Sequence, residues 1–231
     1  MADAFQGFDR SFFDFFTELA ANNNREWFEA NKPRYREEVV APISRFIEAM
    51  APRLAKISPH YVADPRPNGG SMFRIYRDVR FAKDKKPYKE NAGVHFRHGL
   101  GRDAHAPGFY VHLTPTEVFF GGGIWLPPSP QLAKIREAIA ADPKGWAKVI
   151  GDRKLREQCG GIRGDALKRP PRGYEKDAPH IEDIKRKTFF AMREATAKDA
   201  MARDFADQVA SAFQASSPLM KFVCKAVEAP F

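Results

Sequence analysis

The sequence predicts a single α+β domain, in which a central antiparallel sheet is flanked by N-terminal and C-terminal helices. Apolar residues recur at helical spacing over residues 10–57 and again over 129–228. Between these regions, at about residues 70–125, apolar and polar residues alternate as they do in strands. The 231 residues contain no internal repeat and no long linker, so we expect one domain spanning residues 1–231.

The N-terminal region predicts helices over residues 10–57 with one or two breaks. Its first helix carries closely spaced aromatic residues, and Ser11 is a candidate cap for it. Asn23, followed three residues later by Glu26, fits a capping box for the next helix. Pro42 fits the first turn of a further helix.

The middle region predicts three short strands, at 92–97, 109–114 and 117–120. The last two are separated by a tight turn and form a predicted hairpin. Alternation places His95, Tyr110 and His112 together on the polar face of this sheet. We therefore expect an antiparallel sheet of three to five strands with one face on the core.

The C-terminal region returns to helical spacing. Helices are predicted to begin at Ser129 and Asp142, and another at Pro179 is predicted to extend toward Phe189. Residues 199–214 predict a helix, and Ser217-Pro218 predicts the start of the last one. Residues 154–174 are rich in Gly, Pro and cations and are expected to be mostly loop.

Composition favours a cytoplasmic protein. The two cysteines, Cys159 and Cys224, have no metal-ligand spacing and are expected to be buried free thiols in a reducing compartment. Residues 1–9 lack the basic and apolar regions of a secretory signal. The most apolar stretch, 118–126, is short and contains three glycines, so we expect no membrane span.

Positive charge is concentrated where the sequence is most suggestive of function. The formal net charge is +9. Residues 74–89 read Arg-Ile-Tyr-Arg-Asp-Val-Arg-Phe-Ala-Lys-Asp-Lys-Lys-Pro-Tyr-Lys, which includes seven cations and two acids. Arginine suits bidentate capture of phosphate or carboxylate, so this segment predicts a site for a small anionic ligand.

Each polar residue of this segment has an expected role. Arg74, Arg77 and Arg80 are predicted to hold the anion, and Lys85 and Lys89 to add positive charge. Tyr88 is predicted to close the pocket. Three candidate catalytic residues could orient the arginines or transfer protons: Asp78, Asp84 and His112.

The same segment resembles the signature of an uncharacterised family, domain of unknown function 2461. The matching pattern is Arg-x-x-Arg-Asp-x-Arg-Phe, followed by Asp84-Lys85 and Pro87-Tyr88-Lys89. The run from Asn22 to Phe28 is similar to a second signature of that family. Ala82 stands where relatives are expected to have serine. The resemblance covers nearly the whole chain and implies a mostly bacterial protein of about this length, with no activity assigned.

Other functions remain open at this point. The basic stretches 74–89 and 144–193 could bind nucleic acid, since aromatic residues interleave with the cations. The Arg/Asp motif could instead be a structural ion-pair network in an interaction module. Four histidines, His95, His98, His105 and His112, lie close in sequence but lack metal-ligand spacing, so we expect no metal and no cofactor. Whether the protein is an enzyme, and what its oligomeric state is, are not predicted.

Overall fold

The structure, a computed structural model, describes residues 5–100 and 106–231 and confirms a single α+β domain. Five antiparallel strands form one sheet in the order β1 (Tyr61–Val62), β2 (Ala92–His98), β3 (Gly108–Leu113), β4 (Val118–Ile124) and β5 (Phe189–Ala195). Each strand pairs with the next one along the chain, so the sheet is a meander.

Helices precede and follow the three central strands. The N-terminal ones are α1 (Arg10–Ala21), α2 (Arg25–Ala30), α3 (Lys32–Arg34) and α4 (Ala41–Ile57). The C-terminal ones are α5 (Ser129–Ala141), α6 (Pro143–Ile150), α7 (Arg153–Cys159), α8 (Ile181–Ile184), α9 (Ala197–Ala200) and α10 (Phe205–Ala226).

One face of the sheet packs on helices and forms the main core. Residues alternate along β2 and β3, so Val94, Phe96 and Phe109 point into this core and are fully buried. On α10, Phe213 stacks on Phe109 with ring centroids 4.6 Å apart. Gly122 allows this helix to approach β4, because a Cβ at that position would meet the side chain of Ser216 at 2.7 Å.

Two expected helix starts in the N-terminal region were wrong. Asp9, not Ser11, precedes the first residue of α1. Asn24, not Asn23, caps α2, since its side chain accepts a hydrogen bond from the Trp27 amide. The position expected for Pro42 is confirmed, since it lies in the first turn of α4, and a π-helical turn at Tyr35–Val40 connects α3 to α4.

In the C-terminal region the structure differs more from the sequence-based prediction. The helix predicted from Pro179 toward Phe189 ends at Ile184, and Phe189 begins β5. The sequence of β5, Phe-Phe-Ala-Met-Arg-Glu-Ala, is rich in helix-forming residues, but pairing with β4 overrides that propensity. Strands β1 and β5 therefore both lie outside the predicted sheet region 70–125.

Residues 154–174 are mostly loop, as predicted, and α7 takes up only their first six residues. One further expectation for this region was wrong. Pro218 lies inside α10 instead of starting a new helix. A proline leaves one helical carbonyl without its amide partner, but the helix continues because α10 is buried along most of its length. Next to this proline, the hydroxyls of Ser216 and Ser217 donate to the Phe213 carbonyl.

Candidate functional site

The second face of the sheet is the candidate functional site, because it carries a cavity of about 570 Å³. The strand register aligns His95 with Tyr110, Tyr110 with Gly121, and Gly121 with Met192 on this face. The residues that line the cavity come from four strands and five loops: Phe73, His95, Ala106, Gly108, Tyr110, Glu117, Phe119, Gly123, Ile124, Trp125, Arg163, Phe190, Met192 and Glu194. We call this surface the open face.

Glycines make the floor of the open face nearly bare backbone. A Cβ at Gly121 would collide with the Ala191 carbonyl, so β5 can approach β4 only because glycine is present. A Cβ at Gly108 would collide with the ring of His95, which lies over it. The strand predicted at 117–120 is longer in the structure, where β4 continues through Gly121, Gly122 and Gly123 to Ile124. The result is a flat floor between aromatic walls.

His95 is the most deeply buried polar side chain of the cavity, with 7% of the residue exposed. Burial, and to a lesser extent the charge of Arg97, lowers the pKa of His95 to about 4, so the imidazole is neutral at physiological pH. Its Nδ1 atom has no hydrogen-bond partner among the described residues. The ring of Phe73 stacks on it, with centroids 5.8 Å apart. This nitrogen has almost no accessible surface, so it is an unsatisfied buried polar atom in the wall of the cavity.

Tyr110, His112 and Glu117 form a polar chain beside the cavity. The Tyr110 hydroxyl and Nδ1 of His112 are 3.2 Å apart, and Nε2 of His112 lies 3.8 Å from Oε2 of Glu117. The carboxylate favours a proton on Nε2, which makes Nδ1 the acceptor for the Tyr110 hydroxyl. Burial lowers the pKa of His112, and the Glu117 charge partly opposes that shift.

The contacts with His112 and Glu117 determine whether Tyr110 donates a hydrogen bond to a ligand or accepts one. Burial, with a smaller contribution from Glu117, raises the pKa of Tyr110 to about 12, so the phenol stays protonated. Its proton is directed at His112, which leaves the oxygen free to accept a hydrogen bond. His112 was predicted to be catalytic. It stands behind Tyr110 and does not line the cavity itself.

The other end of the cavity carries an ion pair. Nη1 of Arg163 lies 2.6 Å from Oε1 of Glu194, and both side chains are about half or more exposed. The backbone of Arg163 exchanges two hydrogen bonds with that of Phe190, which fixes this loop to the edge of β5. Trp125 lies over Phe190, with ring centroids 5.5 Å apart.

The predicted arginine-rich segment forms a separate projection, residues 74–89, which we call the arm. Its two halves run antiparallel: Arg77 donates to the Pro87 carbonyl and Lys89 to the Ile75 carbonyl through their backbone amides. Tyr88 fixes the base of the arm, since it is 3% exposed and stacks on Phe28 with centroids 4.1 Å apart. Tyr88 is therefore packed in the core and does not line the cavity.

Asn23 holds the arm to the junction between α1 and α2. Its side-chain nitrogen donates to the Tyr88 carbonyl and to Glu90, and its oxygen accepts from the Tyr88 amide. This asparagine was expected to cap a helix. Its actual role is to satisfy both backbone groups of one residue that lies 65 positions away in the sequence.

The charged residues of the arm mostly pair with one another. Asp84 accepts from Arg77 at 2.8 Å, and Asp78 accepts from Arg80 at 2.6 Å. These hydrogen bonds lower the pKa of both carboxyls, so both are ionised and suited to hold cations. The ammonium groups of Lys85 and Lys89 donate to the backbone carbonyls of Val79 and Arg74.

The structure therefore does not bring all the predicted site residues together. None of the predicted anion-binding residues lines the cavity: Arg74, Arg77, Arg80, Lys85, Tyr88 and Lys89. Only the base of the arm reaches it, where the Lys89 ammonium lies 5.5 Å from the ring centroid of Phe73. Anion binding by the arm, and catalysis by Asp78 or Asp84, stay predictions.

The shared face predicted for His95, Tyr110 and His112 is confirmed by the strand register. His98 lies on the opposite face, where Nε2 contacts the Pro230 carbonyl, and His105 lies outside the described residues. Within residues 5–100 and 106–231, no group of three or more side chains is placed to hold a metal ion. In the same ranges, no helix is both long and apolar enough to cross a bilayer.

Sequence reasoning missed most of the cavity wall. Trp125, Arg163 and Phe190 were not predicted to be functional, because they come from distant segments and β5 was not recognised. One signal was present: three consecutive glycines beside Trp125 indicate a close approach of another backbone.

Comparison with known proteins agrees with the resemblance in the motifs. The model of a family described as a conserved hypothetical protein, domain of unknown function 2461, matches residues 11–222. The chain therefore belongs to that family. None of the curated proteins matches this sequence.

Proposed function

We propose that the open face binds a small, flat, mainly apolar organic molecule that is uncharged or positively charged. The observation that carries this proposal is the cavity of about 570 Å³ on the bare floor of the sheet. Cavities of roughly 300–1,000 Å³ suit single small molecules. A flat ligand fits because Gly108 and Gly123, which line the cavity, have no side chains that would project into it.

Aromatic rings supply the contact area. Phe73 and Trp125 are 39% and 53% exposed, and both line the cavity. Phe119 and Phe190 are partly buried and line it as well. Covering these rings with a planar ligand removes apolar surface from water and permits stacking, which supports the proposed ligand shape.

One atom orients the ligand. The oxygen of Tyr110 is an acceptor, because its proton is directed at His112. A ligand with an N–H or O–H group facing this oxygen would donate to it, and a wholly apolar ligand would leave it without a donor.

Charge disfavours an anion in this cavity. Among the described residues, its lining includes two acids, Glu117 and Glu194, and one cation, Arg163. That arginine is already paired with Glu194 at 2.6 Å. A negatively charged ligand would thus meet a net negative rim, and a cationic one would be attracted to it.

Three ligands of nearly identical shape test this proposal: 2-naphthamide, 2-naphthamidine and 2-naphthoate, measured by calorimetry or fluorescence. We expect the amide and the amidine to bind more tightly than the carboxylate. Phe190→Ala should weaken binding by roughly tenfold, since truncating a ring removes about 1–3 kcal/mol of contact. Met201→Ala, which removes an exposed side chain that does not line the cavity, is the control. Preferential binding of the carboxylate, or equal binding by the Phe190 variant, would contradict the proposal.

A further inference from the structure

The arm ends in an exposed aromatic ring surrounded by cations. Phe81 is 95% exposed, more than any other large apolar residue of the described chain. The guanidinium of Arg80 lies 5.9 Å from its ring centroid. Lys83 follows two positions later and has no hydrogen-bond or ion-pair partner among the described residues. An exposed phenyl ring next to cations has both of its faces available for stacking on the base of a single-stranded nucleic acid.

The backbone on both sides of the exposed ring is held by hydrogen bonds. The arm is a two-stranded projection, with Arg77 bonded to Pro87 through the backbone and to Asp84 through its side chain. Lys85 closes the tip by donating to the Val79 carbonyl at 3.0 Å. Phe81 therefore stands on an ordered tip and is presented to a partner without a large loss of conformational entropy.

From these observations we propose that the tip of the arm binds single-stranded nucleic acid, with Phe81 stacking on one base. Lys83, two residues after the ring, contacts a phosphate next to that base, while Arg80, paired with Asp78, keeps its guanidinium beside the ring. Stacking on an aromatic ring combined with backbone charge is how proteins bind single strands without sequence preference. The segment carries seven cations against two acids, which gives the charge complementarity that a polyanion requires.

Among the aromatic residues in and beside the arm, Phe81 is the one whose ring is available for stacking on a base. Of the four aromatic residues that interleave with the cations, Tyr88 is buried on Phe28 and Phe73 stacks on His95. Tyr76 packs against Tyr88 with ring centroids 5.5 Å apart. Phe81 alone among the four has no ring contact with another aromatic residue in the described chain.

A lipid surface fits the tip less well. Insertion into a bilayer needs a sizeable continuous apolar surface or a second anchor. Here the neighbours of Phe81 are a charged arginine and Ala82, followed by Lys83, and two carboxylates lie within the same tip. One phenyl ring therefore supplies little apolar area, whereas a single base needs only one ring to stack on.

The test is fluorescence anisotropy with labelled oligothymidine and oligouridine at low and physiological salt. We expect binding that weakens with salt, and a loss of roughly tenfold in affinity for Phe81→Ala, in the range for stacking of one base. Phe81→Trp should retain the affinity of the parent protein, because the larger ring stacks at least as well. Lys83→Ala should reduce the salt slope by roughly 0.7, whereas Lys144→Ala on α6 should leave it unchanged.

Three results would overturn the proposal. The first is absence of oligonucleotide binding at low salt. The second is equal affinity of the parent and Phe81→Ala, which would reduce the arm to a general polyanion contact; competition by inorganic polyphosphate, which has no bases, checks this directly. The third is Phe81-dependent sedimentation with vesicles of anionic phospholipid in the absence of any oligonucleotide binding. Ligand binding on the open face is unaffected by any of these outcomes, because Phe81 does not line the cavity.

Discussion

The hydroxyl of Tyr110 lies 3.2 Å from Nδ1 of His112, on the face of the sheet that the helices leave uncovered. This contact joins the edge of the cavity to a partly buried imidazole, and through it to the Glu117 carboxylate. It determines the direction in which the phenol donates its proton, and hence which lone pair faces a ligand. Measurements of pKa values, stability and ligand binding test this arrangement and the proposed ligand site on the open face.

The link between Glu117 and His112 predicts a pKa change. Glu117→Gln removes the negative charge that opposes the lowering of the His112 pKa, so that pKa should fall further. Proton NMR titration of the His112 ring measures it directly. Glu194→Gln is the matched control, because it removes a carboxylate from the same face without touching this chain. A His112 pKa that is unchanged or higher in Glu117→Gln would contradict the assigned interaction.

Burial of His95 predicts a dependence of stability on pH. The pKa of His95 is about 4 in the folded protein, below the ordinary value of 6.5 that it regains on unfolding. Between these values the unfolded chain binds a proton that the folded one does not, so stability falls as pH decreases from 6.5 to 4. The total loss from this group is on the order of 3 kcal/mol.

Urea unfolding at several pH values measures this effect, and His95→Gln isolates it from other titrating groups. The glutamine variant should show a shallower fall in the free energy of unfolding between pH 6.5 and 4. Identical slopes for the variant and the parent protein would show that His95 is protonated in the folded state, contrary to its burial.

Replacing each of the three consecutive asparagines by alanine should lower the free energy of unfolding by a different amount. Asn23→Ala should destabilise most, by roughly 1–3 kcal/mol, since it leaves the backbone groups of Tyr88 without partners. Asn24→Ala removes the cap of α2 and should cost about 1 kcal/mol. Asn22→Ala loses only an exposed bond to the Glu18 carbonyl and should be nearly neutral.

Thermal or chemical unfolding of the three variants ranks them. In a domain of this size, each kcal/mol lowers the midpoint by roughly 2–4 °C. The order Asn23, Asn24, Asn22 is expected. Equal effects at Asn22 and Asn23 would mean that Asn23 does not hold the arm to the helices.

The fold was predictable where local pattern and tertiary contacts agree. Alternation in β2 and β3 placed His95, Tyr110 and His112 on one face, because the side-chain period of a strand leaves no other arrangement. β5 was not predictable in the same way. Its residues favour a helix locally, and only the glycine-lined edge of β4 makes the extended form preferable.

The candidate site was predictable only in part, for a related reason. The charged motif stands out in the sequence because its residues are contiguous, and it forms a contiguous arm. The cavity is assembled from Phe73, Tyr110, Trp125, Arg163 and Phe190, which are far apart in the chain. Only the sheet topology brings them together, and β5, the strand that supplies Phe190, was absent from the prediction.

Methyl NMR of the methionines can show directly whether the open face binds a small flat molecule. The chain has six methionines, and of the five within the described residues only Met192 lines the cavity. On titration with 2-naphthamide, we expect the Met192 methyl resonance to shift, while those of buried Met50 and exposed Met201 stay in place. A spectrum in which Met192 does not move, or moves no more than Met201, would contradict it.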